Sequence, residues 1–289
     1  MANLNTKPIH NLREISQALF DAAKYWRIAE LSLRISVFAV GGVVVFLSIL
    51  PKYAPFLIAF LSIIAELCHL RSNANKGLAE SILRKLDVWE SFGWPISGME
   101  LSDILMQCPA RLRKIHPADH EHRQYFFSQQ TFGPKRALEN AQESAWWSKH
   151  LAMRTGHFYL ATTIVLVFIS LGALLVSIET IHNFDVLSNI GRVVTSTFML
   201  IFSLGLIRFI FGYYQFSSQA SRVETQAARL LELDSVNQDQ AIKLIYEYQL
   251  SRAVAPLLPS WLWKLLRNDL NSLWQEYRRV TPKGIENDI

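Results

Sequence analysis

The sequence predicts an all-α membrane protein: four transmembrane helices in two hairpins, with helical extensions on the cytoplasmic side. The runs His157 to Ile178 and Val193 to Tyr214 are each long enough to cross a hydrocarbon core of about 30 Å, which takes roughly 20 apolar helical residues. No Asp, Glu, Lys or Arg stands between Arg154 and Glu179. The 289-residue chain is 51% hydrophobic and only 18% charged, whereas a soluble domain carries about 25% charged residues. Lipid has to face part of such a chain.

Residues 1–34 are expected to form an N-terminal cytoplasmic segment, disordered to about residue 12 and helical beyond. Leu12, Ile15, Leu19, Ala23 and Trp26 recur at three- and four-residue steps, the helical period. Tyr25, Trp26, Arg27 and Arg34 suit the headgroup level. Residues 35–70 read as the first hairpin: Ile35 to Leu50, a turn at Pro51-Lys52, and Tyr53 to Leu70 returning. The acidic residues Glu14, Asp21 and Glu30 precede the first apolar run and no small-residue cleavage site follows it, the pattern of an uncleaved anchor.

Residues 71–156 form the central insert. Leu78, Ile82, Leu86 and Trp89 make one stripe, so the second span is expected to continue as a helix until Gly93 and Pro95. Ser97 and Glu100 have capping-box spacing for a short helix to Gln107. Residues 109–133 look irregular, and Lys135 to Thr155 reads as a helix feeding the third span. Residues 157–214 hold the second hairpin with a polar loop between its runs. Residues 215–289 continue the fourth span to Leu233, then carry a helix from Asp239 to Ala253 and a last one from Ser260 to Arg279, broken apart by Pro256 and Pro259. That last helix, with Trp261, Trp263 and Trp274, is expected to pack on its neighbours and not to lie on the membrane surface.

Basic residues set the expected orientation. Five Lys or Arg lie in residues 1–34, twelve in 71–156 and ten from 208 onward, against one in each hairpin turn, Lys52 and Arg192. Short cytoplasmic loops retain positive charge, so both termini and the insert are expected inside and both turns outside. Cys68 and Cys108 offer no disulfide or zinc spacing.

Several residues are candidates for special roles. Arg34, Glu66 and Arg208 lie at similar depth within apolar runs, where an unpaired charge costs several kcal/mol. A Glu66–Arg208 bridge joining the hairpins is one expectation, and independent snorkelling of the arginines the other. Thr163, Ser170 and Ser177 repeat every seven residues, as do Ser196 with Ser203 and Gly205 with Gly212. Such stripes either let helices approach closely or, in an oligomer, line a pore. The loop His116, Asp119, His120, Glu121, His122 lacks a second ligand cluster and reads as a solvated segment, not a metal site. No nucleophile–base pair, paired carboxylates or Gly-rich phosphate loop argues for catalysis.

Three stretches carry a resemblance: LDVWESFGW from Leu86, NAQESAWWSKHL from Asn140, and YEYQLSRAVAPLLPSWLWKLL from Tyr246. With two spans, a helical insert, two more spans and a Trp-rich end, the chain resembles the SMODS-associating four-transmembrane effectors of bacterial anti-phage systems. The resemblance implies an effector in the inner membrane, encoded beside enzymes that make cyclic oligonucleotides, that breaches the bilayer of an infected cell; it leaves open whether a cyclic oligonucleotide or a partner sensor protein is the trigger, and the pore reading of the stripes requires a homo-oligomer. The resemblance supplies no catalytic residue and no cofactor beyond that nucleotide ligand. Arg111, Arg113, Lys114 and Arg123 are candidates to meet phosphates, and an ordinary positive-inside surface accounts for them as well. A constitutive membrane scaffold or small channel or transporter, with no nucleotide trigger, is the competing class.

Overall fold

A computed structural model of the chain describes residues 7–47, 53–114, 125–181 and 183–280, and every regular element among them is helical. In order they are α1 (Lys7–Leu47), α2 (Ala54–Phe92), α3 (Gly98–Gln107), one 3-10 turn (Leu112–Lys114), α4 (Pro134–Thr180), α5 (Phe184–Ser203), α6 (Leu206–Leu231), α7 (Gln238–Val254) and α8 (Ser260–Val280). Helix α1 starts earlier than expected. Pro8 sits in its first turn, where a missing N–H costs nothing because that donor has no intrahelical partner anyway. Helix α2 stops before Gly93 and Pro95 as its sequence predicts. Ser97 and Glu100 close a complete capping box at the head of α3: the Ser97 hydroxyl accepts from the Glu100 N–H and the Glu100 carboxylate from the Ser97 N–H.

Three segments are long and apolar enough to cross a membrane: α2, α4 and the run Phe184–Leu231 that contains α5 and α6. Only 11% to 22% of their most apolar windows is buried inside the protein. Phe56, Phe60, Ile63, Leu67 and Leu70 form an exposed apolar stripe on α2, and Phe168, Ile169, Leu175 and Val176 do the same on α4. Water would not tolerate so much contiguous apolar surface; a hydrocarbon solvent does. The apolar run of α1, from Ile35, passes out of the described residues after Leu47.

Two expectations for the last apolar segment are corrected. The polar loop expected over residues 179–192 is instead largely helical: α4 runs to Thr180, and α5 starts at Phe184, where the Asn183 side chain accepts from the Asp185 and Val186 N–H groups. The fourth run is also not one continuous helix. It breaks at Leu204–Gly205, where Gly205 adopts φ 67°, ψ 28°, a left-handed conformation that costs other residues roughly 1–2 kcal/mol.

Helices α1 and α2 are antiparallel. The Ser16 hydroxyl donates to the Ala79 carbonyl and the Ser72 hydroxyl to the Ala23 carbonyl, so residue numbers rise on one helix as they fall on the other. Their polar ends bury Leu12, Ile15 and Leu19 against Ala79, Ile82 and Leu86, with Ile104 of α3 as a lid. Helices α4 and α6 are antiparallel too, along a seam of Ala137, Ala141, Ala145 and Ala152 facing Ala220 and Ala227. Alanine at those positions lets two backbones approach closely, while Tyr213, Phe216 and Tyr248 pack into the same cluster. Helix α8 runs back along α4, with Trp261 against Phe158 and Trp274 against Trp146. It therefore packs on its neighbours as its sequence suggests.

The polar ends of these pairs form one module, tied together at α7. Arg252 donates from Nε to Glu80 at 3.0 Å and from Nη2 to Asp87 at 2.9 Å, all three side chains being nearly buried. Lys76 donates to the Ala253 and Ala255 carbonyls, which closes the C-terminal end of α7. The Tyr213 hydroxyl donates to the Leu257 carbonyl, and a Cβ on Gly212 would lie 2.8 Å from Pro256 Cγ. Gly212 is thus required by the close approach of the α7–α8 link to α6. Replacing Arg252 by Met should lower stability by about 3–5 kcal/mol, since it strands two buried carboxylates. Adding Glu80→Gln and Asp87→Asn should recover much of that loss, as thermal unfolding in detergent would show.

Candidate functional site

At the boundary between the apolar and polar halves, Glu30 stands at the centre of a charge cluster. It is 2% exposed. Its carboxylate meets Arg27, Arg34 Nε at 3.0 Å and His69 Nδ1 at 3.1 Å. The same arginine reaches outward: Arg34 Nη2 lies 3.2 Å from Glu66 Oε2 and Nη1 donates to Ser203 Oγ at 3.3 Å. Asn73 approaches the other ring nitrogen of His69, and the Arg27 guanidinium stacks over the Phe209 ring, 4.4 Å from its centroid. One cluster therefore joins α1, α2 and both sides of the α5–α6 break. Ser203 is the last residue of α5 and Phe209 sits one turn into α6.

This corrects the expected bridge. Glu66 pairs with Arg34, not Arg208. Arg208 is exposed and makes no ion pair among the described residues, the arrangement of a snorkelling arginine. Arg34 wins because it lies on α1, directly across the antiparallel pair from Glu66, while α6 turns Arg208 away from that seam. Glu30, Arg27 and His69 are members of the cluster that were not expected as site residues. A signal was present in Arg27, Glu30 and Arg34, whose three- and four-residue spacing puts them on one helix face.

The hydroxyl and glycine stripes are used inside the chain. Ser170 and Ser177 are each 8% exposed, already covered by neighbouring helices. Thr163 and Ser177 hydroxyls donate to carbonyls four residues back, Tyr159 and Ala173. Ser196 is half-buried, Ser203 holds Arg34, Gly205 makes the break and Gly212 admits Pro256. Of the basic candidates in the insert, Arg111 is exposed and Arg113 is engaged locally, donating from Nε to the Cys108 carbonyl at the end of α3. The Lys114 side chain, Arg123 and the loop from His116 to His122 lie outside the described residues.

The three family-like stretches adjoin in the polar module. Asp87 meets Arg252 and Glu90 meets Arg13. The Ser144 carbonyl and the Ser148 hydroxyl both bond the Tyr248 hydroxyl, at 3.0 and 2.8 Å, and Lys149 pairs with Glu224. Glu143, 8% exposed, accepts from the Phe127 N–H at 3.0 Å. Burial pushes its carboxyl up to about 7, with the Phe127 bond and Arg278 pulling the other way and Glu139 adding to the rise. No group of three metal-ligating side chains exists among the described residues. No protein-family model matches the chain, and neither does any curated protein or solved structure.

Three outcomes are expected. A carboxyl raised on folding makes the folded state bind more protons, so its contribution should fall as pH rises from about 4.5, the ordinary value, through about 7. Glu143→Gln should therefore raise the melting temperature of the protein at pH 8 and change it little at pH 4.5; equal effects at both would show that Glu143 is not buried as a charge. Glu30→Gln should cost about 3 kcal/mol, as loss of the acid from a buried ionic cluster does. In double-mutant cycles Glu66 should couple to Arg34 by about 0.2–1 kcal/mol, in the range of partly exposed pairs, and to Arg208 not at all.

Proposed function

We propose that the protein is a membrane effector of a cyclic-oligonucleotide-triggered anti-phage defence system, which assembles in the bacterial inner membrane and makes it leak. The termini and the polar module lie in the cytoplasm and four helices cross, α1 supplying the first. The observation that carries the reading is the continuity of α2 and α4 from apolar to polar half. Each is a single helix of 39 or 47 residues, hence a rod of about 60 or 70 Å at 1.5 Å per residue. A rearrangement at its polar end is transmitted along its length, so a ligand that repacks the module reorients the spans. Exposed apolar faces on those spans supply the surface on which copies of the chain associate. The buried state of Ser170 and Ser177 means that a pore lined by that stripe requires α4 and α5 to part first.

A second reading, a constitutive scaffold or small channel or transporter without a nucleotide trigger, is favoured by the break at Gly205. Interrupted spans flanked by charge are the hallmark of transport sites, and Arg34 bonds to Ser203 beside this one. Purified protein in dye-loaded liposomes separates the two. The effector reading expects dye release only on addition of a cyclic oligonucleotide, rising steeply with protein density. Release without nucleotide supports the second reading, and absence of release under any cyclic oligonucleotide at high density overturns the first.

A further inference from the structure

Two adjoining surface cavities of about 280 and 320 Å³ open along α6, the first between α6 and α7, and share Gln226 and Arg229. Three cations line them: Arg222 and Arg229 from α6 and Lys243 from α7. The two arginines are seven residues apart and so share a helix face. All three are exposed and none has an ion pair among the described residues. The nearby carboxylate of Glu224 is turned inward to Lys149 and does not neutralise them. Leu244 gives the groove an apolar floor, and Glu247 is the one carboxylate on its wall.

We infer that this groove binds a nucleotide carrying more than one phosphate. Guanidinium forks match phosphate oxygens in pairs, and two of them about 10 Å apart along the helix axis suit phosphates separated by a nucleoside. The Leu244 floor offers a base the apolar contact that ligand sites provide, while Glu247 can accept from a sugar hydroxyl or a base amino group. A lipid headgroup is a poorer match for the pair, because Arg222 and Arg229 lie 9 and 16 residues of helix beyond Tyr213, roughly 14 and 24 Å at 1.5 Å per residue, so that a headgroup at the membrane surface meets at most the nearer one. The inference deepens the nucleotide-triggered reading and rests on it for its role. It moves the phosphate contacts from Arg111 and Arg113 in the insert to α6 and α7.

The full chain in detergent, titrated with 3′–5′ cyclic di- and trinucleotides, inorganic pyrophosphate and phosphatidylglycerol nanodiscs, tests it. At least one cyclic nucleotide should bind saturably. Arg222→Ala with Arg229→Ala should weaken that binding at least 30-fold, Lys243→Ala at least 5-fold, and Arg111→Ala less than 2-fold, with unchanged elution volume and helicity. Failure of every nucleotide to bind, binding indifferent to the double variant, or pyrophosphate or nanodiscs binding as tightly as any nucleotide overturns the site. Nucleotide-dependent dye release that survives the double variant removes the groove and leaves the effector reading intact. Binding in the groove without release does the reverse.

Discussion

Glu80 and Asp87 lie two turns apart on the inward face of α2, and the Arg252 guanidinium between them is what makes their burial tolerable. An ionised carboxylate taken out of water costs several kcal/mol unless a cation and hydrogen bonds replace its hydration. Because Arg252 projects from α7, this requirement ties the end of the chain to the first half of it. The position of α7 then follows, held further by Lys76 at its C-terminal carbonyls, and so does the path of the Pro256–Pro259 link that crosses Gly212 and leads α8 back along α4.

The same logic recurs at the boundary between the halves. Glu30 is buried and needs cations; Arg27 and Arg34 from its own helix face supply them, and His69 adds a polar contact. Arg34 has donors left over after serving Glu30, and they reach Glu66 and Ser203. A purely local helix pairing thereby becomes a joint between the α1–α2 pair and the broken α5–α6 run. The break itself frees backbone groups from the helical ladder, which apolar surroundings penalise. It is bridged by short turns, the Gly205 N–H donating to the Phe202 carbonyl and the Phe209 N–H to the Gly205 carbonyl.

Small side chains act here as spacing devices. Alanines let α4 and α6 approach closely, Gly212 admits a proline ring, and Ser170 and Ser177 are covered within the chain. Packing thus accounts for most of the stripes. The exposed apolar faces of α2 and α4 lie elsewhere on the surface, and they, with the cationic groove beside α6, are open to other molecules.

Helical periods, capping residues, prolines and the two long apolar runs were all legible in the sequence, because each depends on neighbours within a turn or two. The boundaries of α2, α3, α7 and α8 and the packing of α8 followed from those local rules. The Arg34 partner, the Glu30 cluster, the break at Gly205 and the role of Gly212 were decided only by the tertiary structure. A charge chooses its partner by which helix faces it across the bundle, and a glycine in an apolar run is a spacer or a break according to what presses on it. Neither is encoded in residue spacing along one helix, since both depend on residues distant in the chain: Ser203 lies 169 residues from Arg34 and Glu80 lies 172 from Arg252, and Pro256 presses on Gly212 from another element.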